Sequence, residues 1–487
     1  MSKNEIGTVQ SPTNAGPTTT TSSIADQLEV LRKSLAMPHV PYTSGVHPVK
    51  AEDLVVYYDV EGEKYASRID LGTAEEGDLE ALASACQQAT FGVNQADVLD
   101  ESYRKAGKMD LTKFAARFDV VASGLIDNIG PDILQGQDAD GNKKLRAEMY
   151  KLNVYGPGSF FKAHKDTPRG DNMIGSLVVV FPTSHTGGQL TLEHGGLNWT
   201  FDSAAELADP PRTPALAYAA FYSDVTHAVE PVLTGHRVTL TYNLFLVDES
   251  IRPAAGHRTI PAPERALEET LRTLLGDPAF LPAGGFLAYG LEHQYPMPPP
   301  PEVSWVNRKR QVPPSRLGPV LQMLKGCDAR IRTVSQRLGL ATHVKILYDS
   351  GENYDYDDEP GHDVLADDVL DTADVNESYG MSLKDEIERM GVILQRDSAR
   401  AKELRDKKKY CGQDEDEDDN GENDGGKISP SAIPVHWVTK INTLNRVQSQ
   451  YIAYGNDAAI QHVYGNAALF VHVPAVGVDI RAAVEGR

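Results

Sequence analysis

Apolar positions change period along the chain. From Ile24 to about Met37, Ile24, Leu28, Leu31 and Leu35 recur at spacings of three and four, which predicts a short amphipathic helix. A strand-like run, LVVYYDV at 54–60, comes next. Within 78–134, Leu79, Leu82, Cys86 and Ala89 form one helical stripe, and Phe114, Phe118, Val121, Leu125 and Ile129 form another. Residues 24–144 therefore read as a helical N-terminal support region. Between Tyr150 and Val247 the period drops to two, in YKLNVY, MIGSLVVVF, QLTLEH, ALAYAAFYSD and HRVTLTYNLFLV, with turn residues such as GPG and GG between runs. Short strands at this spacing without helices between them predict an antiparallel sandwich or barrel over 145–248. In the last run Arg237, Thr239, Thr241 and Asn243 share one face, and Val238, Leu240, Tyr242 and Leu244 share the other. A polar face on a mid-barrel strand asks for a polar ligand.

Beyond Ile251 a Pro-rich linker and a helix occupy 249–279, and 280–487 reads as a β-rich C-terminal domain through GGFLAYG, HVKILYD, VHWVTKI, QSQYIAYG and AALFVHV, with a charged helical stretch at 378–410. Net charge is −22, and it is concentrated: 349–377 holds twelve acidic residues and 414–424 holds eight. Both runs are expected to be solvated, disordered insertions (349–377 and 412–427). They lack the alternating ligands, central glycine and terminal glutamate of an EF-hand, which argues against a calcium loop. Outside them acids and bases nearly balance, and acidic runs repel phosphate, which argues against a nucleic-acid partner. Residues 1–23 are Ser/Thr/Pro-rich, a disordered tail with no apolar signal segment, and no stretch approaches the roughly 20 apolar residues of a membrane span. Three widely spaced cysteines, Cys86, Cys327 and Cys411, fit neither a disulfide framework nor a CxxC zinc site. The expected compartment is the cytoplasm or nucleus.

The chemistry concentrates in FFKAHKDTPR. His164 and Asp166 stand at i and i+2, so at a strand or strand end an imidazole nitrogen and a carboxylate oxygen reach toward one metal ion. Of fourteen histidines, His164 alone has an Asp or Glu two residues later. His227, 61 residues after Asp166 and next to a β-run, is the candidate third ligand. Two histidines and a carboxylate form a facial triad that leaves open positions on Fe(II), although zinc also accepts such ligands. Arg237, ten residues past His227, can pair bidentately with the far carboxylate of a dicarboxylic keto acid chelated at the metal. Thr239 and Tyr155 can add hydrogen bonds to that carboxylate. His185, His194 and His236 read as structural, the first two as solvent-facing flanks of the GGQL turn. Phe221 and Tyr222 read as core, and a second metal site among the C-terminal histidines is not expected.

The runs YGPGSFFKAHKDT, GGQLTLEHGG and HAVEPVLTGHRVTLTYNL resemble the prolyl-4-hydroxylase-like Fe(II)- and 2-oxoglutarate-dependent dioxygenases over residues 150–247, about a fifth of the chain. The resemblance implies an α+β protein whose catalytic domain is a double-stranded β-helix (jelly roll), with His164, Asp166 and His227 on iron and Arg237, Tyr155 and Thr239 on 2-oxoglutarate. It implies oxidative decarboxylation of 2-oxoglutarate to succinate, coupled to hydroxylation of an unactivated C–H, with O2 as co-substrate and ascorbate as an optional reductant. Some prolyl hydroxylases carry lysine where Arg237 stands, so the arginine does not point to collagen-type substrates. A protein or peptide side chain is the favoured substrate. The alternatives are a small molecule, or a catalytically silent β-sandwich that docks partners through its acidic loops.

Overall fold

The computed structural model describes residues 23–35, 40–93, 96–135, 143–170, 172–208, 214–248, 260–299, 315–350, 362–370, 383–395, 432–454, 458–478 and 481. The N-terminal tail up to residue 22, linker residues 249–259 and the acidic run 412–427 lie outside the described residues. Among the described residues no helix is long and apolar enough to cross a membrane.

The period-two text between Tyr150 and Val247 becomes two antiparallel sheets packed face to face. The larger runs in the order Tyr42–Pro48, Ala215–Tyr222, Met173–Val180, Arg237–Asp248, Lys143–Tyr155, Gly107–Asp110 and Gln87–Gln88. The smaller runs Leu197–Phe201, Leu190–His194, Thr226–Val229, Phe160–His164 and Arg104–Lys105. Alternation in the larger sheet aims Leu152, Val154, Leu177, Val179, Val238 and Leu240 to one side. There they share a core with Leu79 and Leu82 of the helix Glu76–Ala85 and with Leu125 and Ile129 of the helix Leu125–Ile133. The polar positions of the same strands are thereby turned toward the smaller sheet. Gly175 lets neighbouring strands close up, since a Cβ there would stand 2.2 Å from the Phe221 carbonyl oxygen.

Four expectations change. The stripe from Phe114 to Ile129 is not one helix: Phe114–Ala116 is a strand beside Val55–Tyr58, and the helix begins only at Leu125. Among the described residues region 24–144 is accordingly a mixture of short strands, three α-helices and a short 3-10 helix at Ala51–Leu54 rather than a helical support. Its first helix, Ile24–Leu35, sits in the other half of the molecule, where Leu28, Leu31 and Leu35 meet Leu267, Leu271 and Leu274 of the helix Ala262–Gly276. Each such side chain contributes roughly 1.5–3 kcal/mol of burial. In the first acidic insertion, Asp363–Ala366 is a strand with apolar Val364 and Leu365 buried, and Val392–Gln395, in the stretch read as helical, is a strand paired to it. Charge density hid a few apolar residues that two strand neighbours suffice to bury.

The C-terminal strands close a ring. Gly285–Gly290, Ile433–Trp437, Val392–Gln395, Asp363–Ala366, Thr342–Asp349 and Ala458–Val473 pair in that order, and the last returns to the first. Phe286, Ala288, Leu347, Leu365, Leu394, Val435, Ala468 and Phe470 form a cluster of their own. Their strand neighbours Leu287, Tyr289, Ile346, Val364, Leu469 and Val471 pack instead with the helices.

The two halves meet at Asp224, in the turn between Ala215–Tyr222 and Thr226–Val229. Its Oδ1 accepts from Lys325 Nζ at 3.0 Å. Its Oδ2 accepts from His293 Nδ1 at 3.0 Å, from the Gln294 amide at 3.0 Å and from His194 Nε2 at 3.2 Å. Lys325 Nζ also donates to Ser223 Oγ and to the Gln294 carbonyl. Burial by itself raises the Asp224 carboxyl, but His293 and Lys325 outweigh it and hold the group well below the ordinary carboxylate range. The ion pair is almost dry, with side-chain exposures of 2% for Lys325 and 5% for Asp224.

Lys325→Met leaves that carboxylate buried without its ammonium, so urea unfolding is expected to show a loss of about 3–5 kcal/mol. Adding Asp224→Asn in the same chain should cost less than the sum of the two single changes. A single-variant loss below about 1 kcal/mol would show that the histidine and amide donors hold Asp224 unaided.

Candidate active site

His164 and His227 become cross-strand partners through an irregularity in pairing. Phe161 lies opposite Val229 and His164 opposite His227, so Phe160–His164 has one residue more than its neighbour. Plain alternation would put Phe161 and His164 on opposite faces, and the bulge turns both inward. Their rings stack at 3.6 Å between centroids, and those of His164 and His227 stand 4.2 Å apart. Asp166 comes in from the segment after the strand, with its Oδ1 3.8 Å from His227 Nε2. Ser176 Oγ, from the opposite sheet, donates to Asp166 Oδ2 at 2.5 Å and fixes the carboxylate. One ligand atom from each of His164, Asp166 and His227 falls within 4.8 Å of the others.

Protonation suits a metal. His164 Nδ1 donates to the Lys162 carbonyl at 2.9 Å and His227 Nδ1 to the Val225 carbonyl at 3.1 Å. Each histidine therefore keeps its Nε2 lone pair for a cation. Burial, with the neighbouring His227 next in weight, pushes the His164 imidazole down to about 3, against the pull of Asp166. It is neutral at physiological pH, the form a metal binds. Phe161 and Phe221 wall the triad, the latter 4.6 Å from the His227 ring, and keep its imidazoles out of bulk water.

Arg237 begins its strand opposite Tyr155, with its Cζ 5.7 Å from the Tyr155 ring. It is 1% exposed, and its Nε has no hydrogen-bond partner. Burial lowers its affinity for the proton, and Tyr155 offsets this in part. Thr239 lies on the same face and is equally buried. Gly188 makes room, because a Cβ there would come within 3.0 Å of Arg237 Cδ, and its φ of +73° is one that glycine adopts without strain. A dry guanidinium with an unmet donor is what a carboxylate ligand would complete.

His185 is buried rather than solvent-facing: its Nδ1 donates to the Thr183 carbonyl, and its Nε2 has no partner. His194 is also drawn inward, stacked on His293 at 4.7 Å and bonded to Asp224. His194, Asp224 and His293 thus form a second group with metal-ligand spacing. Four donors already fill the Asp224 carboxylate, one of them the Lys325 ammonium, so this group is satisfied without a cation. Sequence spacing gave no sign of it, because His293 comes from the other half of the chain. Ser176 and Arg104 were equally silent in the sequence. Arg104 lies with its Cζ 4.3 Å from the centre of the Phe161 ring.

The two facing sheets thus bring together a two-histidine, one-carboxylate group on the smaller and a buried arginine on the larger, a donor set suited to a metal ion and a carboxylate ligand. Residues 150–245 match the 2OG-Fe(II) oxygenase superfamily, whose members use Fe(II) and 2-oxoglutarate. A prolyl-4-hydroxylase from Pseudomonas putida is similar at 20% identity and a TM-score of 0.26, over 45% of this chain and 99% of that one. A Trichoplax adhaerens prolyl hydroxylase, solved with a hypoxia inducible factor peptide fragment, is similar at 15% identity and a TM-score of 0.25, over 46% and 94%. AviO1 from Streptomyces viridochromogenes is similar at 16% identity and a TM-score of 0.24, over 48% and 98%. No curated protein matches the chain.

The unfolded chain takes up a proton on His164 near its ordinary value of 6.5, whereas the folded chain resists until about 3. Its contribution to stability is therefore complete above 6.5 and lost as pH falls through that window. In chelator-treated protein the melting temperature should drop between pH 7 and 5, and less steeply in His164→Gln. Parallel slopes for the two proteins would show that His164 is not held neutral by the fold.

Proposed function

We propose that His164, Asp166 and His227 bind Fe(II), that Arg237 with Tyr155 and Thr239 binds the distal carboxylate of 2-oxoglutarate, and that the chain hydroxylates an unactivated C–H of a protein or peptide side chain. The observation that carries the co-substrate assignment is Arg237, a fully buried guanidinium with an unpartnered Nε, placed by strand register beside Tyr155. When bound, the iron and 2-oxoglutarate supply the oxidising chemistry that removes hydrogen from carbon. The chain's own residues do the rest. The two Nδ1–H bonds to Lys162 and Val225 set the imidazole planes, and Ser176 holds Asp166 so that its second oxygen faces the histidines. Arg237 fixes the far end of a ligand whose near end chelates the metal, which orients it in one direction. Phe161 and Phe221 shield the reacting volume from water. A macromolecular substrate suits the large second half seated on the turn that precedes His227. Ascorbate would be an optional reductant.

The experiment is substrate-independent turnover: anaerobically purified protein receives Fe(II), 2-oxoglutarate and oxygen, and succinate is quantified. His164→Ala is expected to abolish it. Arg237→Ala is expected to weaken 2-oxoglutarate binding by about 30-fold or more, the scale of roughly 2–5 kcal/mol for truncating one partner of a buried charge pair. Calorimetry with 2-oxoglutarate in the presence of Mn(II) reads binding directly. No metal-dependent binding there would overturn the enzyme reading.

A further inference from the structure

We propose that Arg104, Lys108 and Lys151 form a subsite for a carboxylate of the substrate, next to the carbon that is hydroxylated. The proposal rests on the oxygenase reading and names the class of molecule that site accepts.

Three cations converge from both sheets at one end of the barrel. Lys108 and Lys151 stand on adjacent strands of the larger sheet, Lys108 opposite Asn153 and Lys151 opposite Asp110. Asn153 and Lys151 in turn face Thr239 and Thr241, so these lysines belong to the same polar inner face as Arg237. Arg104 comes from the smaller sheet, opposite Phe161. Its Nη2 donates across the gap to Asn153 Oδ1 at 2.9 Å, and its Nη1 donates to the Thr90 carbonyl at 2.8 Å. Lys108 Nζ donates to the hydroxyl of the same Thr90 at 3.3 Å. Arg104 and Lys108 are thus joined through Thr90, Lys108 and Lys151 both approach Asp110, Lys151 Nζ lies over the Tyr150 ring at 4.6 Å, and the Phe161 ring touches both the Arg104 guanidinium and the His164 ring.

The cluster is short of anions. Arg104, Lys108 and Lys151 are 8–9% exposed. The only carboxylate among the described residues to approach them is Asp110, half exposed, at 3.9 Å from Lys108 and 4.0 Å from Lys151. Arg104 Nε is buried with no hydrogen-bond partner. Burying cations without counter-charge is costly, and a fold retains such an arrangement where a ligand brings the missing charge. 2-Oxoglutarate does not supply it, because one of its carboxylates goes to the metal and the other to Arg237. The remaining anion belongs to the substrate. An arginine fork with two ammonium groups beside it matches the planar, bidentate carboxylate.

Two measurements test this on the full chain. If the cations await a ligand, Lys151→Met and Lys108→Met should each raise the melting temperature of the unliganded protein, by about 2–4 °C. If they are structural, both changes lower it. In the second measurement, protein loaded with Mn(II) and 2-oxoglutarate is melted with a pool of tetrapeptides that place Asp or Glu beside an apolar residue, and with free aspartate and glutamate. The matching Asn/Gln tetrapeptides and free asparagine and glutamine serve as controls at equal ionic strength. One acidic probe is expected to raise the melting temperature above its amide control, the peptide if the substrate is a protein and the amino acid if it is small. The rise should be lost in Arg104→Gln and in Lys151→Met. No acid-specific rise, or a tenfold loss of 2-oxoglutarate affinity in Arg104→Gln, would overturn the proposal, the latter by assigning the cluster to the co-substrate. Failure of the oxygenase reading would look different, as absence of Mn(II)-dependent 2-oxoglutarate binding in the unsubstituted chain.

Discussion

Two sheets pressed face to face can keep a polar group between them only where something satisfies it, since a buried donor left unmet costs on the order of 1–3 kcal/mol and a lone buried charge costs more. In this protein the facing surfaces carry two imidazoles, a carboxylate, a guanidinium and three further cations, while the opposite face of the larger sheet is apolar and sealed by helices. The barrel is thus a container whose inner wall is held in a costly state by the stability of its outer wall. Leu152, Leu177, Leu240 and their helical partners supply that stability, and the inner residues are left to bind ligands.

The same constraint explains how the metal-ligand group is aimed. A strand of strict alternation could not present both Phe161 and His164 to the interior, and the bulge between them does so at the cost of one irregular pair. His227 is set from the other side, by the Val225 carbonyl that takes its Nδ1 proton. Val225 closes a turn with the Tyr222 carbonyl, and between them stands Asp224, held by Lys325, His293 and Gln294 of the C-terminal half. The second half is therefore joined to the first three residues from a candidate metal ligand.

Much of the barrel was legible from alternation alone. The runs MIGSLVVVF, ALAYAAFYSD and HRVTLTYNLFLV correspond to Met173–Val180, Ala215–Tyr222 and Arg237–Asp248, and the polar face of the last is the inner face. His164 and Asp166 were legible because their separation of two survives folding, and Arg237 because its strand parity does. The errors have one origin. The stripe from Phe114 to Ile129 and the charged stretch around Val392 were assigned by local period, and each was decided by a neighbouring strand that local text does not contain.

The sequence by itself determined which residue types could do the chemistry and, where strands run without a bulge, which faces they occupy, because alternation is a property of the extended backbone. Only the tertiary structure decided which distant residues share a volume: His293 and Lys325 with Asp224, Ser176 with Asp166, and Arg104 with Lys108 and Asn153. These contacts span up to 101 residues of chain, and their worth comes from burial, which removes water as a competing partner. Burial is a property of the assembled sheets, so the charge left uncompensated inside the barrel becomes visible only when the barrel is closed.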